Sequence, residues 1–227
     1  MMYRLDMALL LPKSVFIHIP KTGGSWVRQA IRRAGVPAVE MPCMWHDGTD
    51  ADWTRNKDGG RLEYGHMCMH CALHDIDPKG RLTFAFVRHP LWFYRSMWSY
   101  KMNRGWEMGN GLDEKFCHDT FEGFVNKCMD MAPPGMGYAT SVYEWFLDNG
   151  KKTVDFVGRQ ESLADDLVKA LRMAGESFDE EALRTTPAIN ASKNEYRDKA
   201  VYSPELLALV LEKDDAAIRR FGYGLIP

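Results

Sequence analysis

Short apolar or alternating stretches at residues 15–19, 37–41, 62–67, 82–87 and 153–157 read as strands. Between them the apolar positions fall at helical spacing. Trp26, Val27, Ala30, Ile31 and Ala34 make one stripe, and Leu206, Val210, Ala217 and Phe221 make another behind a Ser203-Pro204 start. Strand and helix alternate, which predicts an α/β fold with a doubly wound, mostly parallel sheet flanked by helices. Residues 103–119 and 130–138 interrupt the pattern with glycine, proline and charge, and are expected to be loops at the mouth of a site. There is no internal repeat and no low-complexity tract.

Composition narrows this picture. A chain of 227 residues, 45% hydrophobic, is long enough to bury a large core, and 1–227 is expected to be a single domain. With 29 basic and 31 acidic residues the net charge is −2, so the chain carries no overall electrostatic footprint for nucleic acid. Five cysteines without a regular framework favour a reducing compartment. The apolar run at residues 7–11 is too brief for a transmembrane segment and lacks a signal-peptide cleavage region. A soluble, cytoplasmic protein is the expectation.

The strongest chemical signal is Val15-Phe16-Ile17-His18-Ile19-Pro20-Lys21-Thr22-Gly23-Gly24-Ser25-Trp26, a strand that runs through a Lys-Thr-Gly-Gly-Ser turn into a helix. Two glycines let successive N–H groups converge on an anion, and the helix adds its positive N-terminal end. Lys21 supplies a mobile cation, while Thr22 and Ser25 supply hydroxyls. Arg28, Arg32 and Arg33 add local positive charge. A Walker A loop places its lysine after the last glycine, and no such string occurs here. An ordinary kinase or ATPase is therefore disfavoured.

A second strand, Leu82–Val87, ends in Arg88-His89-Pro90-Leu91, with Ser96 eight residues beyond the arginine. A guanidinium at a strand's end can fork onto a phosphate, and a serine two helical turns later can reach the same anion. Farther on, Ser162 is expected to cap a helix, with Asp165 facing its free N–H groups. The aromatics after Arg88, including Trp92, Phe93, Tyr94 and Trp98, are spaced as core residues, although one could stack on a base.

Together the two segments resemble the PAPS-dependent sulfotransferases, most closely the branch containing heparan sulfate 2-O-sulfotransferase and small bacterial enzymes. Order and separation fit, Arg88 following Lys21 by about 65 residues. The resemblance implies a P-loop-like nucleotide-binding sulfotransferase fold. It also implies that Lys21, Thr22, Gly23, Gly24, Ser25 and Trp26 hold the 5′-phosphosulfate of PAPS, and that Arg88 and Ser96 hold its 3′-phosphate, with PAP as product. Many relatives carry a second arginine five residues after the first, where this chain has Phe93, with Arg95 displaced by two. Tyr64-Gly65-His66-Met67 resembles the segment that delivers the catalytic histidine, which makes His66 the candidate base.

Other uses of these residues stay open. His66, Cys68, His70, Cys71 and His74 crowd into nine residues, yet no second ligand pair follows at the spacing of a structural zinc site, and no metal is expected. Asn190-Ala191-Ser192-Lys193 sits where relatives close a loop over the nucleotide, but Lys193 is read as a solvated lysine. The expected reaction moves a sulfuryl group from PAPS to a hydroxyl of a glycan, lipid, peptide or small metabolite, or to an amine. The alternatives are a kinase-like phosphotransferase using ATP and a catalytically inactive nucleotide-binding protein.

Overall fold

The computed structural model describes residues 8–41, 71–107, 111–189 and 195–224. The strand candidate at 62–67, His66 itself, Cys68, His70 and Lys193 lie outside the described residues. The chain divides into two compact units. One is formed by the described residues up to 41, 71–88 and 145–189, the other by 89–107, 111–144 and 195–224.

The first unit is built on a five-stranded sheet of β1 (Ala8–Leu10), β2 (Ser14–Ile17), β3 (Val39–Met41), β4 (Leu82–Val87) and β5 (Phe156–Arg159), in the order β3-β1-β2-β4-β5. β2 pairs in parallel with β4, and β4 with β5. β1 is antiparallel to both of its neighbours, so the sheet is mixed where a mostly parallel one was expected. The difference lies at Ala8–Leu10. Their apolar run is not a prelude to the first strand but a strand of its own, folded back through a tight turn in which Leu11 N–H donates to Ser14 C=O at 2.9 Å. That turn is anchored by the buried Glu176, whose Oε1 accepts from both Lys13 N–H and Ser14 Oγ at 2.8 Å.

Helices α1 (Gly24–Arg33) and α6 (Leu163–Ala174) cover one face of this sheet. Val27, Ala30 and Ile31 from α1 and Leu167, Val168 and Leu171 from α6 close over Phe16, Phe84 and Phe86 in one apolar cluster. The stripe expected from residues 26–34 is thus the buried face of α1. Arg28 is buried and pairs with Glu40 of β3 at 2.6 Å, and Arg32 reaches the same carboxylate at 3.5 Å. Both sit one or more turns past the helix N-terminus.

The second unit is helical. It contains α2 (Pro90–Arg104), α3 (Gly111–Phe116), α4 (Phe121–Met131) and the start of α5 (Tyr138–Leu147). After the short α7 of the first unit (Glu180–Arg184) it adds α8 (Glu195–Lys199), α9 (Pro204–Lys213) and α10 (Asp215–Arg220). The single C-terminal helix expected from the apolar stripe is broken in two at Asp214. Its carboxylate is fully buried and accepts from Tyr94 Oη, Thr140 N–H and Thr140 Oγ1, each at 2.8 Å. Ser203 and Pro204 start α9 as expected, Ser203 Oγ accepting from Leu206 N–H. Trp98, Phe93 and Tyr94 are core residues, and Trp98 Nε1–H donates to His118 C=O at 3.1 Å.

Candidate functional site

The path of the chain through the sheet singles out one place. From β2 the chain crosses toward β3, on one side, and from β4 it goes on to β5, on the other. β2 and β4 are neighbours and parallel, so their carboxyl ends flank a topological switch point, where open α/β sheets leave a crevice for a ligand. The Lys21–Gly24 turn leaves the first of these ends, and Arg88 leaves the second. The two segments singled out in the sequence are brought together: Arg88 Nη1–H points at Lys21 C=O at 3.5 Å.

The turn is held in an uncommon backbone shape. Lys21 has φ 64° and Gly23 φ 94°, both left-handed. For a lysine that conformation costs roughly 1 kcal/mol, a strain that has to be held by its surroundings. Thr22 is part of the brace, since its buried hydroxyl donates to Ile19 C=O at 2.8 Å. The hydroxyl expected to meet an anion is therefore spent within the turn. Ser25 remains exposed. Gly23 caps α1 without any side-chain hydrogen bond, and the first turn of α1 carries no acidic residue. This helix end suits an anion on both counts.

Both glycines are required by what lies against them. A Cβ on Gly24 would fall 1.9 Å from Cδ2 and Nε2 of His18, and one on Gly23 would fall 2.8 Å from a methyl of Leu163 and 3.4 Å from Cγ of Gln160. The turn after β5 thus packs against the turn after β2. It is itself fixed by Asp166, which accepts from Arg159 N–H at 2.8 Å and from Ser162 Oγ at 2.7 Å. Ser162 stands at the N-cap of α6 as expected but makes no capping hydrogen bond, its hydroxyl donating to Asp166 instead, while Asp165 pairs with Arg184 at 2.5 Å. Trp26 gives its indole N–H to Thr186 C=O at 3.2 Å and packs on the apolar cluster under α1.

Beneath the site, the sheet presents ordered rows of side chains. Phe16, Phe84 and Phe156 are paired across β2, β4 and β5, and two residues farther along come His18, Phe86 and Gly158 on the same face. The next step outward reaches Arg88 and Gln160. His18 and Gln160 were not singled out from sequence; parity with Phe16 and Phe86 is the signal that places them.

Ser96 is half-buried in the seventh position of α2, in the second unit. His89, between Arg88 and Pro90, is an N-cap. Its Nδ1 accepts from Leu91 N–H, which leaves Nε2–H to donate to Gly224 C=O at 2.9 Å. Of the histidine and cysteine cluster, His74 lies 3.3 Å from the Asp75 carboxylate and packs edge-on against Trp145. Burial raises the Asp75 carboxyl above the usual range. Cys71 is disulfide-bonded, whereas Cys117 and Cys128 are free thiols. Among the described residues no helix is long and apolar enough to cross a membrane.

Comparison of the chain with protein families, with curated proteins and with solved structures finds no match.

Proposed function

We propose that this chain is a sulfotransferase that uses PAPS as its donor substrate, built on a P-loop-like nucleotide-binding fold. The observation that carries the reading is the convergence of the Lys21–Gly24 turn and Arg88 at one switch point, a lysine-bearing anion cradle beside a guanidinium. The residues fit a phosphosulfate. The glycine positions have no room for a side chain, the helix end is uncapped by any side chain, and Lys21 brings a cation to an otherwise neutral turn. Arg88 would fork onto a second phosphate, which a donor phosphorylated at both ends supplies. Ser96 as its partner and His66 as base rest on the sequence resemblance.

PAPS supplies an activated sulfuryl group. His66 takes the proton of the acceptor hydroxyl as the new S–O bond forms, the bond to the 5′-phosphate breaks, and 3′,5′-ADP leaves. Lys21 offsets the charge that grows on the departing phosphate oxygen, so alignment and charge neutralisation carry the step. The acceptor class is a hydroxyl on a glycan, lipid, peptide or small metabolite.

The test is incubation with labelled PAPS and a panel of sugars, phenols, peptides and alcohols, alongside calorimetry with 3′,5′-ADP. Acceptor-dependent transfer, lost by about 100-fold or more in Lys21→Ala, supports the reading. Binding of ATP with magnesium but not of 3′,5′-ADP would replace it with a kinase-like one. Transfer at the wild-type rate in His66→Ala would remove only the base assignment.

A further inference from the structure

His18 leaves the end of β2 on the face covered by α1 and α6, and it is 4% exposed. Its imidazole stacks on Phe16 at 5.8 Å between ring centroids and 23° between planes. Its opposite edge, Cδ2 and Nε2, occupies the place where a side chain on Gly24 would begin. Gly24 is the first residue of α1, and its N–H belongs to the open helix end that faces the turn. One ring is therefore wedged between the floor of the sheet and the first helical residue.

The rows beneath the ring are Phe16, Phe84, Phe86 and Phe156, a packed aromatic floor that gives it little room to move. The wedge does what a flexible apolar chain cannot: a flat, rigid ring fixes how far α1 starts above the sheet. That height sets where the first-turn N–H groups and the Lys21 turn converge.

We infer that His18 is a positioning residue of the anion site, a rigid spacer that holds the start of α1 and the Lys21–Gly24 turn in their anion-binding shape. The inference rests on the donor reading above for the identity of the ligand. With His18 shortened, the helix end can settle toward the sheet, and the amide groups no longer share a focus. The expected loss is in affinity and not only in stability.

The experiment compares wild type, His18→Ala and a control, Leu171→Ala, which empties the same apolar cluster near the C-terminal end of α6 and away from the turn. Thermal midpoint and calorimetric affinity for 3′,5′-ADP are measured for each. Both variants are expected to melt a few degrees lower, while only His18→Ala binds 3′,5′-ADP at least 10-fold more weakly. Wild-type affinity in His18→Ala overturns the inference, as does an equal loss of affinity in Leu171→Ala. Failure of the wild type to bind 3′,5′-ADP overturns the donor reading instead. The same three proteins titrated with inorganic pyrophosphate then decide on His18, with the same 10-fold difference expected and equal affinities overturning it.

Discussion

At the scale of single residues, the site combines strain with charge, and the two can be separated at Lys21. Its φ of 64° is unfavourable for any residue with a Cβ and free for glycine. Lys21→Gly and Lys21→Ala both remove the ammonium, so both are expected to lose the binding of 3′,5′-ADP. Lys21→Gly alone relieves the backbone, and its thermal midpoint is expected to lie above that of Lys21→Ala, by roughly 1 kcal/mol of stability less the entropy that glycine adds to the unfolded chain. A Lys21→Gly midpoint below that of Lys21→Ala would mean that the turn is not strained. Arg88 gives a second discrimination. A lysine there keeps the charge but not the fork, so Arg88→Lys is expected to recover less than a tenth of the lost 3′,5′-ADP affinity of Arg88→Ala if two oxygens are held at once. The identities of Lys21, Gly23, Gly24 and Arg88 were legible because glycine freedom and strand-end cations leave marks in local sequence. His18 was not, since its role depends on the contact with Gly24 that only the packed helix creates.

At the scale of elements, β2, β4, β5 and α1 could be read from apolar runs and spacing, and the structure places them within a few residues of the expected bounds. The β1 strand could not. Three residues of apolar sequence carry no period, and only pairing with β2 and β3 makes them a strand. The break between α9 and α10 is hidden for the opposite reason. The apolar spacing continues through it, and the stop comes from Asp214, whose carboxylate finds donors on α2 and α5. The turn after β5 shows how such tertiary choices reach the site. Asp166, and not Asp165, ties Arg159 and Ser162 together, and that turn carries Gln160 and Leu163 onto Gly23. Asp166→Ala is expected to cost about 1–2 kcal/mol of stability. It is also expected to weaken 3′,5′-ADP binding several-fold, whereas Asp165→Ala, which breaks an exposed ion pair, changes stability by under about 1 kcal/mol and binding not at all. Denaturant melts and calorimetry on the two variants check this, and an Asp165→Ala variant that bound worse than Asp166→Ala would reverse the assignment.

At the scale of the whole molecule, the Asp214 hub gives stability an unusual dependence on pH. Burial, the largest influence, pushes its carboxyl up to about 6 from 3.8, and the hydrogen bonds from Thr140 and Tyr94 pull back only part of that rise. A raised acid is bound to its proton more tightly when folded. Its contribution is therefore complete below pH 4 and is lost as pH rises through 6, a difference of about 3 kcal/mol for two units. The buried carboxyl of Asp75 shifts in the same direction. Asp155 has the opposite sign: despite some desolvation, hydrogen bonds from Thr83 and Lys152 lower its carboxyl, so its contribution fades only as pH falls below the ordinary carboxylate range. Between pH 4 and 6 the Asp214 effect is thus unopposed by Asp155. Every other titrating group is common to both proteins, so comparison with Asp214→Asn isolates this carboxyl. The carboxamide in Asp214→Asn keeps an oxygen for Thr140 but turns an N–H toward the Tyr94 hydroxyl, which loses its acceptor, so the variant is less stable at every pH while carrying no charge. Urea melts at pH 5 and pH 8 are expected to show the wild type losing about 1.4 kcal/mol more than Asp214→Asn on going to the higher pH. Parallel curves for the two proteins would show that Asp214 does not carry its charge at this cost.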